Sequence, residues 1–151
     1  FEAGTRIAAI LADQPKEIED ALAEYGQRLG VAFQLVDDVL DYRGDADEMG
    51  KNMGDDLAEG KPTLPLIYTM HNGDDGVRGV IRKAIENGGD GVDVDVEQIT
   101  AAIGASGGLD YAYEMAQKEA SAAIEALSVL PETPFRTALE SLTRIAVERS
   151  A

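Results

Sequence analysis

The amino-acid sequence predicts an all-α protein, and three features of the chain support this prediction. Apolar residues recur with the 3.6-residue period of amphipathic helices through most of the chain. No segment shows the convincing apolar–polar alternation that is typical of a half-buried strand. Glycine, proline and short polar clusters interrupt the helical pattern at intervals, and these breaks divide the chain into several helices.

The helices follow one another with short breaks, except for one long irregular segment. The first helix ends near Ala12, and Pro15 is suited to the first turn of the next helix. That helix extends to Tyr42 and carries acidic residues near its N-terminus, where the helix dipole favours them. Residues 43–62 lack apolar periodicity, which predicts an irregular functional segment. Further helices are predicted over residues 63–70, 77–86, 96–105, 109–130 and 135–148.

Individual residues add expectations about the later helices. Thr63 precedes an apolar segment and is expected to cap the helix that starts there. The helix over residues 109–130 is rich in alanine, whose small side chain allows close helix–helix contact. In the last helix, Leu139, Leu142 and Ile145 are predicted to form the stripe that packs on the core.

Composition excludes several classes of site. The chain has 151 residues, which allows one domain with a sizeable core. Its 13 basic and 29 acidic residues give a net charge of −16, so we expect no nucleic-acid-binding surface. Cysteine is absent and His71 is the single histidine, which excludes disulfides, thiolate metal sites and multi-histidine zinc sites.

The hydropathy of the chain and its first residues lead to two expectations, one about location and one about whether the sequence is a fragment. No apolar run approaches the ~18 residues of a membrane span, and we expect a cytoplasmic protein without an integral membrane segment. The sequence starts at Phe1 in what reads as the middle of a helix. We therefore expect residues 1–151 to be the C-terminal portion of one domain whose N-terminal portion is absent.

Three carboxylates, Asp37, Asp38 and Asp41, lie in the otherwise apolar segment 30–42. On a helix, Asp37 and Asp41 lie one turn apart on the same face, with Asp38 beside them and Gln34 one turn before. Because apolar residues take up most of its circumference, this helix is expected to be buried. Clustered buried carboxylates require protonation, basic partners or a cation. We favour a cation, and the oxygen ligands indicate Mg²⁺ or a similar hard ion.

The segment after this helix supplies positive charge. Lys51 and Lys61 each follow a glycine, and lysine binds phosphate as a point charge while glycine lets the backbone approach a polyanion. Isolated lysines would be ordinary surface charge, but their position after an acidic helix favours a site for a diphosphate group. Within the acidic helix, Gly26 and Gly30 are equally consistent with close helix packing and with room for a substrate.

Together these two segments resemble the second aspartate-rich motif of the trans-polyprenyl diphosphate synthases, most closely the long-chain members of the octaprenyl diphosphate synthase type. The likeness covers essentially the whole chain and is strongest over residues 1–69. Its residues are Gly30-x-x-Phe33-Gln34-x-x-Asp37-Asp38-x-x-Asp41, followed by Gly50-Lys51-x-x-Gly54-x-Asp56-x-x-x-Gly60-Lys61-x-Thr63-Leu64-Pro65.

The resemblance implies a fold and a reaction. The fold would be the C-terminal half of an isoprenoid-synthase-type helical bundle around a central cavity, in an enzyme that acts as a homodimer. Aspartate-rich motifs on two facing helices would bind Mg²⁺, which holds an allylic diphosphate. Ionisation of that substrate leaves an allylic carbocation, which isopentenyl diphosphate attacks through its double bond. Repetition of this step would give a long-chain all-trans polyprenyl diphosphate for isoprenoid and quinone side-chain biosynthesis.

The resemblance also implies roles for the acidic residues. Asp37 would be the principal Mg²⁺ ligand, and Asp38 and Asp41 would act directly or through bound water. Asp37, Asp38 and Lys51 would be the catalytic residues. Asp56 matches an acidic position of the family, where it would either bind metal through water or order the loop.

Substrate contacts form a second group of implied residues. Lys51 and Lys61 would contact the allylic diphosphate, and Gln34 would donate a hydrogen bond nearby. Phe33 would help to line the pocket for the hydrocarbon and the isopentenyl group.

The chain departs from the family pattern in one respect. The first aspartate-rich motif and a Lys-Thr pair are both absent from the sequence, so we expect the fragment to be inactive alone. A noncatalytic helical subunit of a heteromeric prenyl synthase is the alternative. A Ca²⁺-binding module at residues 41–48 or 90–97 is a third hypothesis, although neither segment has EF-hand spacing.

Overall fold

The computed structural model describes residues 1–43, 55–87 and 95–149, and every long regular element in these ranges is an α-helix. The prediction of an all-α fold is therefore confirmed for the described residues. A single turn of 3₁₀ helix spans Leu127–Val129. The helices are α1 (Glu2–Leu11), α2 (Lys16–Arg43), α3 (Asp55–Ala58), α4 (Leu64–Asn72), α5 (Asp75–Asn87), α6 (Val96–Ser106), α7 (Gly108–Ala126) and α8 (Pro134–Glu148).

Most helix boundaries lie within two residues of the predicted ones, with two exceptions. The short helix α3 lies inside the segment that we predicted to be irregular, so that prediction was wrong for Asp55–Ala58. The helix α7 ends at Ala126 rather than Leu130, because the chain tightens into the 3₁₀ turn before Pro131. Sequence periodicity does not distinguish a last α-helical turn from a 3₁₀ turn.

The chain divides into two compact units, which are described separately. Unit 1 comprises Phe1–Val36 and Glu114–Ala151, and unit 2 comprises Asp37–Tyr113. The helices α2 and α7 each contribute residues to both units.

The core of unit 1 forms around the aromatic ring of Tyr25. This side chain is 1% exposed and packs with Leu29, Ala123 and Leu127. Its hydroxyl donates a hydrogen bond to the carbonyl oxygen of Leu139 at 3.1 Å, which ties α2 to α8. The hydrogen bond satisfies a buried phenol that would otherwise be costly.

Small residues bring the helices of unit 1 close together. A Cβ atom added to Gly26 would lie 2.9 Å from the Cα atom of Glu2, so this glycine permits close contact between α1 and α2. This supports the packing interpretation of Gly26. In α7, Ala116 and Ala123 are fully buried, as expected for a helix that uses alanine for close packing.

The predicted core stripe of α8 was wrong for two of its three residues. Leu142 is 52% exposed and Ile145 is 62% exposed, whereas Thr143 and Val147 are buried. Only Leu139 packs against the unit 1 core as predicted. The helix carries apolar residues on more than one face, and the contacts with its neighbours select a face that includes Thr143.

The core of unit 2 gathers apolar residues from five helices, including the last turn of α2. Tyr42 and Leu57 are buried in this cluster, which gives the short helix α3 a fixed anchor. The remaining members are Leu66, Ile81, Ala84, Ile99 and Ile103.

The start of α7 packs closely on α4 within unit 2. A Cβ atom added to Gly108 would lie 2.7 Å from the carbonyl oxygen of Pro65, so only glycine allows this approach. The hydroxyls of Thr69 and Ser106 are 2.7 Å apart beside it.

Within the described part of the chain, none of the helices combines the length and apolar character needed to cross a bilayer.

Candidate active site

The acidic residues lie on α2, where unit 2 begins. Asp38 is 8% exposed, and Asp37 and Asp41 are half-buried. Val36 and Val39 beside them are fully buried, so the acidic face adjoins an apolar one as the sequence predicted. The helix therefore carries three carboxylates at the boundary of a packed region, where their charge is less screened than on an open surface.

Asp56 links this acidic face to Lys61. Its backbone N–H donates a hydrogen bond to Oδ2 of Asp41 at 3.3 Å. Its carboxylate Oδ1 accepts a hydrogen bond from Nζ of Lys61 at 2.8 Å. One residue thus contacts both an aspartate and a lysine that were predicted to belong to the site.

Lys61 is held by two carboxylates. In addition to Asp56, Glu59 contacts its ammonium group, with Oε2 at 2.6 Å from Nζ. The hydrogen bond that Lys61 donates to Asp56 is the main reason that the pKa of Lys61 is raised above its usual value, and Glu59 adds to the effect. The side chain is 56% exposed, so its positive charge remains accessible to a ligand from solvent.

A pair of buried hydroxyls lies beside this network. The hydroxyls of Tyr42 and Thr63 are 2.9 Å apart, and the two residues are 3% and 7% exposed. Burial raises the pKa of Tyr42 to about 12, against the opposing hydrogen bond with Thr63 and with a further contribution from the charge of Asp41. At neutral pH, Tyr42 is therefore a neutral phenol that can both donate and accept.

Thr63 differs from its prediction in one respect. It occupies the N-cap position of α4 with an extended backbone, but its side chain makes no capping hydrogen bond. Thr63 is therefore the N-cap residue as predicted, but its hydroxyl contacts Tyr42 instead of the first turn of α4. Thr133, at the start of α8, shows the ordinary arrangement, since its hydroxyl accepts a hydrogen bond from the N–H of Arg136 at 3.2 Å.

Phe33 and Gln34 lie on the part of α2 that belongs to unit 1. The guanidinium carbon of Arg149 lies 3.9 Å from the centre of the Phe33 ring, a cation–π contact. Arg149 also donates a hydrogen bond to the Phe33 carbonyl oxygen at 3.2 Å. Gln34 lines an open groove of about 390 Å³ in unit 1, together with Phe1 and Val31.

The expectation that the acidic helix is buried all round was wrong on the side of this groove. Val31 is 42% exposed and Gln34 is also exposed. Within the described part of unit 1, an open groove rather than a packed helix lies against these residues. The helix α2 is apolar on several faces, and only some of these faces are packed against other residues in this chain.

Several predicted positions lie outside the described residues. Lys51, the second predicted contact to diphosphate and a predicted catalytic residue, is one of them. So are Asp45, Asp47 and Glu48 and most of the loop 90–97, which a Ca²⁺-binding module would use.

The acidic residues have the donor chemistry that suits Mg²⁺. Asp37, Asp38 and Asp41 offer only oxygen ligands, which a hard cation prefers. Among residues 1–43, 55–87 and 95–149, no three acidic or histidine side chains converge to hold a metal ion by themselves. Mg²⁺ usually takes one or two carboxylates and completes its shell with water and substrate phosphate, so it does not require such a cluster. The donor set therefore fits Mg²⁺ bound jointly with a diphosphate.

Comparison with known protein families shows to which family the chain belongs. The family model described as polyprenyl synthetase matches residues 1–103, which include the acidic helix and Lys61. The chain belongs to the polyprenyl synthetase family. The likeness that the sequence motifs indicated is thereby confirmed.

Relatives within the family are similar along almost the whole chain. The octaprenyl diphosphate synthase of Escherichia coli is 49% identical over 149 residues, which cover 99% of this chain and 46% of the relative. The crystal structure of a decaprenyl diphosphate synthase from Rhodobacter capsulatus is similar with a TM-score of 0.88 at 38% identity, and the match covers 100% of this chain and 46% of that one.

A further solved structure of the family contains ligands. The polyprenyl synthase from Caulobacter crescentus CB15, complexed with calcium and isoprenyl diphosphate, is similar with a TM-score of 0.88 at 37% identity. The match covers 100% of this chain and 46% of that structure. The chain therefore spans about half the length of the known relatives that it matches.

The contacts that hold residues 56–63 in place were not predicted from the sequence. Neither the contact of Tyr42 with Thr63 nor the double role of Asp56 was predicted. The signal in the sequence is weak: a tyrosine ends the acidic run, and a threonine lies two residues after Lys61.

Proposed function

We propose that this chain is the C-terminal portion of a single-domain, Mg²⁺-dependent trans-prenyltransferase. The enzyme would condense an allylic diphosphate with isopentenyl diphosphate to give a long-chain all-trans polyprenyl diphosphate. The observation that carries the proposal is the link through Asp56, which contacts both Asp41 of the acidic helix and Lys61.

Family membership and the ligands of a relative support this proposal. The polyprenyl synthetase family provides the reaction class. A relative that is 37% identical has been crystallised with a divalent cation and an isoprenyl diphosphate, which are the two kinds of ligand assigned to this site. The carboxylates of α2 and the exposed ammonium group of Lys61 have matching chemistry.

The acidic residues would hold the metal. In this proposal Asp37, Asp38 and Asp41 bind Mg²⁺ directly or through water. The chemistry that Mg²⁺ supplies when bound is neutralisation of the charge that grows on the leaving diphosphate.

The remaining site residues would act on the substrates. Lys51 and Lys61 hold the phosphate oxygens of the allylic substrate and stabilise the same negative charge as its carbon–oxygen bond breaks. Gln34 orients the diphosphate by hydrogen bonding. Phe33 contributes to an apolar wall that keeps water from the carbocation. The double bond of isopentenyl diphosphate then attacks the carbocation, and the proton that is lost passes to the released diphosphate.

A hybrid synthase tests the proposal. In this hybrid, the chain replaces the matching 46% of the octaprenyl diphosphate synthase of Escherichia coli. We expect the hybrid to incorporate radiolabelled isopentenyl diphosphate onto an allylic primer, to lose this activity with a chelator and to regain it with Mg²⁺. The isolated chain should show no turnover. A folded hybrid without incorporation would instead favour the noncatalytic subunit, and tight Ca²⁺ binding by the isolated chain in calorimetry would favour the Ca²⁺ module.

Assembly and location are further parts of the proposal. We expect the complete enzyme to be a cytoplasmic homodimer that binds no nucleic acid. Light scattering of the hybrid would test the dimer, and fractionation of cells that express it would test the location.

A further inference from the structure

The buried contact between Tyr42 and Thr63 uses two hydroxyls that ordinary packing would not require. Both groups belong to unit 2, and their oxygens are 2.9 Å apart with almost no solvent exposure. Thr63 occupies an N-cap position, where a threonine hydroxyl usually accepts a hydrogen bond from the first turn of the helix. In α4 this stabilising contact is replaced by the contact with Tyr42.

Tyr42 and Thr63 are each close in sequence to a residue that was predicted to belong to the site. Tyr42 directly follows Asp41, and Thr63 lies two residues after Lys61. The N–H of Thr63 donates to the carbonyl oxygen of Lys61 at 3.0 Å, and the N–H of Lys61 donates to that of Asp56 at 2.8 Å. The N–H of Asp56 donates to the carboxylate of Asp41 at 3.3 Å.

These contacts form a closed path. From Asp41 it runs through Asp56 and Lys61 to Thr63, and from Thr63 through the hydroxyl contact to Tyr42, which is covalently bonded to Asp41. The bonds within residues 56–63 and between the two hydroxyls have ordinary lengths, and the bond from Asp56 to Asp41 is longer, at 3.3 Å. The backbone of Lys61 is therefore held from both sides relative to the acidic end of α2.

The aromatic ring makes this path stiff. Tyr42 lies in the same apolar cluster as Leu57. Leu57 is fully buried and belongs to the short helix α3, which also contains Asp56. A phenol whose ring is packed in a core holds its hydroxyl at a defined position, since the oxygen lies on the ring axis.

We propose that the Tyr42–Thr63 hydroxyl pair is a positioning device that sets the place of Lys61 relative to Asp41. Through Lys61, the pair determines the affinity of the synthase for the allylic diphosphate. This inference rests on the proposed function only in assigning diphosphate binding to Lys61. Tyr42 and Thr63 are positioning residues, because neither is assigned a contact with substrate.

Amide hydrogen exchange of the 151-residue chain tests the positioning directly. Tyr42→Phe and Thr63→Val each remove one hydroxyl at nearly constant volume. We expect protection of the Lys61 and Thr63 amides to fall by about tenfold in each variant, as for the loss of one buried hydrogen bond. Thr63→Ser keeps a hydroxyl and should retain the protection. The matched control is Tyr25→Phe, which removes a buried hydroxyl from unit 1 and should leave these amides unchanged.

The double variant Tyr42→Phe/Thr63→Val separates the contact from the cost of an unsatisfied group. Replacing both partners leaves no buried hydroxyl without a partner, so overall stability should return close to that of the wild type. The Lys61 and Thr63 amides should nevertheless remain less protected. Recovery of wild-type protection in the double variant would overturn the proposal, because the single variants would then report only an orphaned hydroxyl.

Steady-state kinetics of the hybrid synthase test the consequence. Each single variant should raise KM for the allylic diphosphate by about tenfold and change kcat by less than about threefold, as expected when ground-state binding is weakened. Thr63→Ser should restore KM. A fall in maximal rate at unchanged KM would indicate a merely structural role and would overturn the proposal. An inactive wild-type hybrid would count against the proposed function, and hydrogen exchange would still decide the positioning.

Discussion

The two units each contain a buried tyrosine of α2 that contacts a threonine, and they use this contact for different purposes. In unit 1, Tyr25 accepts a hydrogen bond from Thr143 at 3.3 Å and donates one to Leu139, which joins two long helices. In unit 2, Tyr42 contacts Thr63 at the start of α4, two residues after Lys61. The same pair of residue types thus fixes a helix pair in one unit and a short segment near the candidate site in the other.

The two tyrosine contacts lie in different surroundings. The Tyr25 contact lies between regular helices, whose own backbone bonds already limit their motion. The Tyr42 contact reaches Thr63, in the non-helical residues 59–63 that precede α4, so a single hydrogen bond there has more influence on the position of a side chain. We expect substitutions around Tyr25 to change stability first, and those near the acidic end of α2 to change activity first.

The largest expected effect is the loss of one carboxylate in unit 2. In the hybrid synthase, Asp37→Ala should lower kcat on the order of 10²–10³-fold, because charge on the leaving diphosphate loses its stabilisation. The matched variant in unit 1 is Glu119→Ala, which removes the partner of Arg28 at 3.1 Å. That solvent-accessible pair should contribute little to stability, and kcat should be preserved. Near-normal kcat in Asp37→Ala would remove the basis for assigning the acidic helix to catalysis.

The next effect is an alkaline loss of stability that depends on Tyr42. Its folded pKa of about 12 is above the unfolded value of about 10, so the unfolded state loses its proton first as pH rises. The stability is fully present below about pH 10 and should fall by about 3 kcal/mol up to about pH 12. Burial is the main cause, and Asp41, Asp56 and Asp38 add to it through their charge.

Urea unfolding of the isolated chain between these pH values provides the measurement. Tyr42→Phe should flatten the pH dependence, since phenylalanine has no proton to lose. Tyr25→Phe should flatten it as well, because burial also raises the pKa of Tyr25. A wild-type slope in Tyr42→Phe would show that this tyrosine titrates equally in both states.

A smaller effect is expected from glycine substitutions that separate close packing from open space. Gly26→Ala should destabilise the chain by about 1–3 kcal/mol, because the new methyl group meets the α1 backbone. Gly79→Ala in α5 has nothing within 4 Å and should stabilise by up to about 1 kcal/mol through helix propensity. Chemical denaturation of both variants gives the two signs, and a neutral Gly26→Ala would contradict the close contact of α1 with α2.

The smallest effect tests the face of α8. Leu142→Ala should change the free energy of unfolding by less than about 0.5 kcal/mol in the isolated chain, as for an ordinary surface position. Leu139→Ala, on the packed face, should cost about 2 kcal/mol or more. Equal costs would mean that Leu142 is covered in solution.

The sequence predicted those features that depend on local pattern. The 3.6-residue period predicted the long helices, and the acidic and glycine–lysine segments indicated a metal–diphosphate site. The sequence could not choose which apolar face of α8 is packed, because Leu142 and Val147 are equally apolar and only neighbouring helices distinguish them. It also could not assign the hydroxyl of Thr63, since a cap and a distant tyrosine compete for it. The position of Lys51 remains a prediction.

The pairing of Lys61 with two carboxylates has a consequence for how anions reach it. One ammonium and two carboxylates sum to a charge of −1, in a chain whose net charge is −16. An incoming anion is therefore repelled at long range and meets the lysine only at contact distance. We expect association of free diphosphate with the chain to become faster as ionic strength rises, which is the reverse of electrostatic steering. Stopped-flow measurements with and without Mg²⁺ would show whether an anion that arrives with its own counter-charge avoids this barrier.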